Sequence, residues 1–151
     1  MKILCYIFPI LLLLMVGCTS TKTEVTSPDG QIKLTFRLND NNQMTYQVTV
    51  NDSDFISPSV LGFEAKDGVN LSENFHITGV NFDSKDETWS QPWGENKSIR
   101  NHYNEMAILL ADNENTKLTL RFRVFDDGLG FRYEYEVPGT DSIFVMNELT
   151  S

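Results

Sequence analysis

The chain has 151 residues and is acidic, with a formal net charge of −9. Because an acidic chain repels polyanions, this charge argues against nucleic acid and anionic membrane surfaces as partners and leaves neutral sugars and cations open. The length is that of a single domain, large enough to build a hydrophobic core.

The N-terminal residues predict an export signal followed by a lipid anchor. Lys2 precedes an apolar stretch over residues 3–16 that is shorter than a membrane-spanning helix needs to be. Small or slim residues then lead to Cys18, as in the cleavage site of a bacterial lipoprotein. We therefore predict a lipoprotein signal peptide over residues 1–17, lipidation at Cys18 and a tether over residues 18–24. An ordinary secretory peptide with an incidental cysteine is the alternative.

Cleavage before Cys18 would have consequences for charge, thiol chemistry and location. Loss of Lys2 changes the net charge from −9 to −10. Cys5 leaves with the signal and Cys18 is consumed by lipid, so neither a disulfide nor a zinc–cysteine site is expected. Several acyl chains on one cysteine give stable membrane anchoring. We expect an exported, lipid-anchored protein of the periplasm or outer membrane.

From residue 25 onwards, apolar and polar residues alternate in short segments, which is typical of half-buried strands. The clearest pair is Ile32–Leu38 and Met44–Val50, joined by the turn residues 39–42, and it predicts a hairpin. Further strands are predicted over residues 60–65, 75–82, 103–110, 118–124, 131–137 and 142–146, with a short extended piece at 55–56 that ends at Pro58. No helical period persists outside the signal. The pattern predicts an all-β fold, an antiparallel β-sandwich over residues 25–151.

Residues 83–101 break the alternation, and we expect them to form a long irregular loop. Aromatic rings stack on the apolar face of a pyranose, while amides, carboxylates and guanidinium groups bond sugar hydroxyls. The candidates for contact with a carbohydrate or with another domain are Trp89, Trp93, Glu95, Arg100, Asn101, Tyr103, Asn104 and Glu105. The alternative is that the two tryptophans close the open end of the sandwich and that Arg100 pairs with Glu95 or Glu105.

No motif for catalysis or metal binding is complete in this sequence. His76 and His102 have neither metal-ligand nor triad spacing, and no serine elbow or phosphate-binding glycine loop is present. Residues 126–128 predict a tight hairpin turn rather than a calcium loop. Three glutamates between residues 87 and 105 are catalytic candidates by type only. We therefore predict no catalytic residue and no metal site in this segment.

Several short motifs nevertheless occur together and in a fixed order. They are Thr26-Ser27-Pro28-Asp29-Gly30, Leu61-Gly62-Phe63, Asp86-Glu87-Thr88-Trp89, Trp93-Gly94-Glu95, the stretch Ile99–Glu105 and the stretch Phe122–Tyr133. Together they resemble the N-terminal domain of glycoside hydrolase family 97. The resemblance implies an exported α-glucosidase or α-galactosidase whose N-terminal β-super-sandwich packs on a (β/α)8 barrel that bears the catalytic carboxylates. It also implies calcium in the glucosidase branch.

The resemblance places the end of this chain inside the N-terminal domain, so we expect an incomplete domain without the barrel. The expected function is that of a non-catalytic, carbohydrate-associated β-sandwich fragment of an α-glycosidase, with no cofactor of its own. Its expected partners are the missing barrel, an α-linked oligosaccharide and, through the lipid, the membrane. Whether the chain itself is an enzyme is left open. The alternative function is a stand-alone carbohydrate-binding envelope lipoprotein without hydrolase activity.

Overall fold

The structure is a computed structural model, and it describes residues 22–66, 71–113, 116–135 and 144–151. The predicted signal peptide over residues 1–17, the lipidation at Cys18 and most of the tether lie outside the described residues. Within the described ranges, no helix has the length and apolarity needed to cross a bilayer.

The described residues form ten strands that pair antiparallel, which confirms the predicted all-β fold. Sheet one has the order β1-β2-β3-β4, sheet two has the order β6-β7-β8-β9, and β5 pairs with β10. The strands are β1 (Glu24–Thr26), β2 (Ile32–Leu38), β3 (Met44–Val50), β4 (Ser53–Val60), β5 (Phe63–Ala65), β6 (His76–Ser90), β7 (Ser98–Ala111), β8 (Lys117–Phe125), β9 (Gly128–Tyr135) and β10 (Val145–Glu148).

The core lies where sheets one and two face each other. Leu34 and Phe36 of β2 are fully buried, as are Leu120 and Phe122 of β8, with polar residues between them facing outward. The Phe36 and Phe122 rings lie 6.2 Å apart and join the two sheets. Each such side chain contributes about 2–3 kcal/mol of burial. The alternation in the sequence therefore becomes the two inner faces of a sandwich.

The β2–β3 hairpin matches its prediction residue for residue. Ile32 pairs with Val50 and Leu38 with Met44, so the register is unbroken. In the turn, the Asn39 side chain accepts hydrogen bonds from the backbone N–H groups of Asn41 and Gln43. The residues at the predicted turn thus close the hairpin with an asparagine side chain.

The sequence predicts that a short strand at 55–56 ends at Pro58 and that a separate strand spans residues 60–65. Both predictions are wrong. Strand β4 continues through Pro58 to Val60, and β5 begins at Phe63, directly after Gly62. Proline is tolerated because β4 is an edge strand and its pairing with β3 is shifted at this point. Gly62 has a φ of +147°, and a Cβ there would lie 2.6 Å from Cα of Ser72. Glycine is therefore required at residue 62, because the Ser72 backbone leaves no room for a side chain.

The prediction of an irregular loop over residues 83–101 is also wrong. Strands β6 and β7 pair without a break from Val80 opposite Ile108 to Ser90 opposite Ser98, with a connection over residues 91–97. Strand β7 pairs with β8 only as far as Asn104. Beyond that residue β6 is exposed on both faces from Lys85 to Ser90, so no alternation of apolar and polar residues is needed there. Residues 85–103 form a projecting two-stranded hairpin, called here the ribbon.

The hairpin turn predicted at Asp126-Asp127-Gly128 is confirmed, because it joins β8 to β9. The strand predicted over 131–137 begins earlier, at Gly128, and is described as far as Tyr135. The last predicted strand, 142–146, appears as β10, which starts at Val145 and pairs with β5.

Candidate functional site: the ribbon and its base

Successive pairs of the ribbon face opposite sides because side chains alternate along a strand. The pair formed by Trp89 and Ile99 lies on the outer face, which is the face of sheet two turned away from the core. The pair formed by Thr88 and Arg100 lies on the inner face, together with the pair formed by Asp86 and His102. The outer face thus carries Trp89 together with the ion pair of Lys85 and Glu87, and the inner face carries the ion pair of Arg100 and Asp86.

Polar contacts across the strands hold the ribbon in register. Arg100 donates two hydrogen bonds of 2.8 Å to the two carboxylate oxygens of Asp86, and Asn101 donates one of 3.1 Å to Glu87. The bond from Arg100 holds the pKa of Asp86 below its ordinary value. Hydrogen bonds from Lys85 and from Asn101 do the same for the pKa of Glu87. The partner of Arg100 is therefore Asp86, and neither Glu95 nor Glu105.

The aromatic side chains of this region are exposed. Trp93 in the ribbon tip is 83% exposed, Trp89 is 46% exposed and Phe82 at the ribbon base is 50% exposed. Within the described residues the tryptophans therefore do not close the end of the sandwich. Glu95 also lies in the exposed tip, beside Gly94. A two-stranded ribbon is marginally stable alone, and large apolar side chains left exposed on it are typical of a contact surface.

The last three candidates lie at the base of the ribbon, away from its tip. Tyr103 is buried, with its ring 5.3 Å from that of Phe125 and 4.6 Å from the guanidinium group of Arg123. Asn104 donates a hydrogen bond of 2.9 Å to the carbonyl oxygen of Thr26. That bond ties the ribbon base to β1 of sheet one. These side chains position the ribbon rather than extend its surface.

Glu105 is buried on the outer face of sheet two and is bound by two arginines of β8. Arg121 contacts one of its carboxylate oxygens, and Nε of Arg123 donates a 2.7 Å hydrogen bond to the other. Burial alone raises the pKa of Glu105, but the hydrogen bonds and charges of Arg123 and Arg121 outweigh it, and the pKa falls below its ordinary value. Glu105 is thus a structural carboxylate whose ionised form is favoured by its two arginine partners.

An open groove of about 500 Å³ lies between β1 and the base of the β6–β7 hairpin. The residues that line it include Phe82, Asp83, Ser84 and Asn104. Such a combination of one ring and several polar groups suits a sugar ring. Sequence reasoning missed Phe82, Asp83 and Ser84. The available signal was Phe82, an aromatic residue at the end of an apolar strand segment.

Metal ligands do not converge in the described part of the chain: no three His, Cys, Asp or Glu side chains there are placed to hold an ion. His102 lies 3.9 Å from a carboxylate oxygen of Asp126, measured from its Nδ1 atom. That nitrogen is buried and has no hydrogen-bond partner. His102 therefore packs from the ribbon against the β8–β9 turn.

Comparison with known proteins gives a consistent family match. The sequence profile of the family described as Glycosyl-hydrolase 97 N-terminal matches residues 25–151. The retaining alpha-galactosidase of Bacteroides thetaiotaomicron is 30% identical over 127 residues, which are 81% of this chain and 18% of that protein.

Solved structures agree in fold. A Glycoside Hydrolase Family 97 enzyme of Pseudoalteromonas sp. strain K8, in complex with panose, is 35% identical with a TM-score of 0.77, covering 84% of this chain and 20% of that one. The same enzyme is also known with acarbose. A beta-arabinopyranosidase is 26% identical with a TM-score of 0.76. The chain thus spans about a fifth of the length of these relatives.

Proposed function

The chain belongs to the Glycosyl-hydrolase 97 N-terminal family, and from this premise we propose that it is the non-catalytic N-terminal β-sandwich of an exported α-glycosidase. We propose further that the ribbon is the surface through which this sandwich docks on the catalytic (β/α)8 barrel of the longer enzyme. The observation that carries the proposal is the ribbon itself, which projects past β8 with Trp89 and Trp93 exposed.

The ribbon is built for docking because its shape is fixed while its aromatics are left uncovered. The pairing of Arg100 with Asp86 and the hydrogen bond of Asn104 to Thr26 hold its register and its base. Burial of an exposed indole at an interface gives a large apolar contact at low entropic cost. A preformed ribbon therefore loses little freedom when a second domain covers it.

The carboxylates of this region support a non-catalytic role. A glycosidase needs one carboxyl group with a raised pKa to act as a general acid. Hydrogen bonds from Lys85 and Asn101 lower the pKa of Glu87, and the two β8 arginines lower that of Glu105. Both shifts run opposite to the raised pKa that a general acid needs.

The location and cofactor of the longer enzyme follow as further proposals. The sequence before residue 25 supports export, lipidation at Cys18 and anchoring in the periplasm or outer membrane. Calcium, implied for the glucosidase branch, is proposed only for the longer enzyme. Within the ranges described here, no three His, Cys, Asp or Glu side chains are placed to hold an ion.

Intrinsic fluorescence tests the proposal directly, because Trp89 and Trp93 are the two tryptophans in the sequence. In the isolated chain, iodide is expected to quench both indoles, and maltooligosaccharides or α-galactosides at millimolar concentration are expected to leave the emission unchanged. Trp93→Phe separates the two signals. If the indoles were shielded from iodide in the monomeric chain, the ribbon would not be an uncovered docking surface.

The second candidate function is carbohydrate binding by the chain itself, and the groove beside Phe82 favours it. A saturable change in emission with one of these sugars would support this function over docking. Phe82→Ala should then weaken binding if the groove holds the sugar, whereas Trp89→Ala should do so if the ribbon holds it.

A further inference from the structure

Three arginines lie side by side on the outer face of sheet two. Arg121 of β8 is directly opposite Arg132 of β9, and Arg123 is directly opposite Gly130. Like charges in directly opposite positions destabilise a sheet. The chain as a whole has a net charge of −9, so this local concentration of positive charge is unusual in it. We therefore expect the cluster to have a function that offsets its cost in stability.

Two glutamates neutralise most of this cluster but leave part of it open. Glu134 receives hydrogen bonds from Nε and Nη2 of Arg121 and from Nε of Arg132. Glu105 receives them from Arg121 and from Nε of Arg123. The cluster keeps one net positive charge. Within the described residues, the two terminal amino groups of Arg123 donate no hydrogen bond.

A pocket of about 200 Å³ opens beside the arginine cluster. It is lined by Arg121, Arg123, Phe125, Gly130, Phe131 and Arg132. Gly130 does not have a positive φ, and a Cβ placed on it would meet no atom within 4 Å. The backbone therefore does not require glycine here. Because glycine has no side chain, the space in front of Arg123 stays open.

From this arrangement we propose that the pocket binds a single carboxylate group. The free edge of the Arg123 guanidinium offers two parallel N–H donors, which match the two oxygens of a carboxylate. Arg132, whose side chain is 58% exposed, adds positive charge at the rim. A sugar acid in solution and an acidic side chain of another protein segment share this chemistry. The proposal is independent of the docking role given to the ribbon.

Titration of the full chain with sodium D-glucuronate, sodium acetate and neutral methyl α-D-glucoside tests the proposal. At low ionic strength both carboxylates should shift the NMR signals of the Gly130 amide and the Arg123 Nε–H, and the neutral glucoside should not. Tighter binding of glucuronate than of acetate identifies a sugar acid. Equal binding means that the carboxylate alone is recognised, as an acidic side chain would present it.

Two variants and one matched control complete the test. Gly130→Leu fills the pocket and leaves every arginine–glutamate pair in place, so it should weaken binding at least tenfold. Arg123→Gln should do the same through loss of the donors. Arg100→Gln removes an exposed arginine that bonds to Asp86 and should bind like the parent chain. Unchanged binding in Gly130→Leu, equal loss in Arg100→Gln, or the same shifts with sodium chloride would overturn the proposal.

Discussion

Substitution of Glu105 by glutamine tests whether this residue holds sheet two together or serves as a surface ligand. The Glu105 side chain is only 7% exposed and joins Arg121 to Arg123. In the variant, the neutral amide leaves two guanidinium groups without their shared counter-charge. Arg121 keeps Glu134 as a partner. The amide of the variant has a single acceptor oxygen for the two arginines, so one of them meets an NH2 donor where it had an acceptor.

The expected cost follows from burial and exposure. Breaking a fully buried ion pair by removing one partner costs about 3–5 kcal/mol. Here the arginine side chains are 26% and 39% exposed, so water solvates part of the orphaned charge. We therefore expect a loss of about 2 kcal/mol in the free energy of unfolding. For a domain of this length that corresponds to a fall in Tm of about 8 °C.

Urea and thermal denaturation followed by circular dichroism measure this loss. Glu95→Gln is the matched control, because Glu95 is exposed in the ribbon tip. It should change the free energy of unfolding by less than about 0.5 kcal/mol. If Glu105→Gln were no more destabilising than Glu95→Gln, the structural role assigned to Glu105 would be refuted.

Three further predictions rest on other parts of the structure. Hydrogen bonds from Arg121, and then from Arg132, lower the pKa of Glu134 from 4.5 to about 2, so its stabilisation is complete above pH 4.5 and is lost as the pH falls towards 2. The Tm should drop across that window, and Glu134→Gln should flatten the drop. Gly62→Ala should cost about 3 kcal/mol or more in urea denaturation, because its Cβ would meet Ser72 at a positive φ; an unchanged midpoint would contradict this. Trp93→Ala should leave the Tm of the chain unchanged, and a clear loss would mean that the exposed ribbon tip is packed.

Most of the sandwich could be predicted from the sequence because its strands are buried on one face. Leu34 and Phe36 alternate with polar residues, and the structure places both in the core. The same rule failed on the ribbon, where residues 85–90 are exposed on both faces and leave no periodic trace. The backbones of β6 and β7 still pair regularly there. Without a buried face, the pattern of residue types does not specify that pairing.

The candidate residues fall into two structural groups that sequence reasoning does not distinguish. Residue types pointed to the segment from Trp89 to Glu105, yet they could not separate the exposed ribbon from its buried base. The partners of Glu105 are Arg121 and Arg123, which lie on the next strand. Only the pairing of Glu105 opposite Arg123 brings these charges together. That contact depends on register and therefore on the folded sheet.

A hydrolysis assay tests the central claim, that this sandwich is a non-catalytic module, most directly. The purified chain is incubated with p-nitrophenyl α-D-glucopyranoside and α-D-galactopyranoside, and release of p-nitrophenol is followed at neutral pH with and without calcium. No release above the rate without protein is expected from a non-catalytic module. Turnover that co-purifies with the chain and is lost in the Glu87→Gln or Glu95→Gln variant would contradict it.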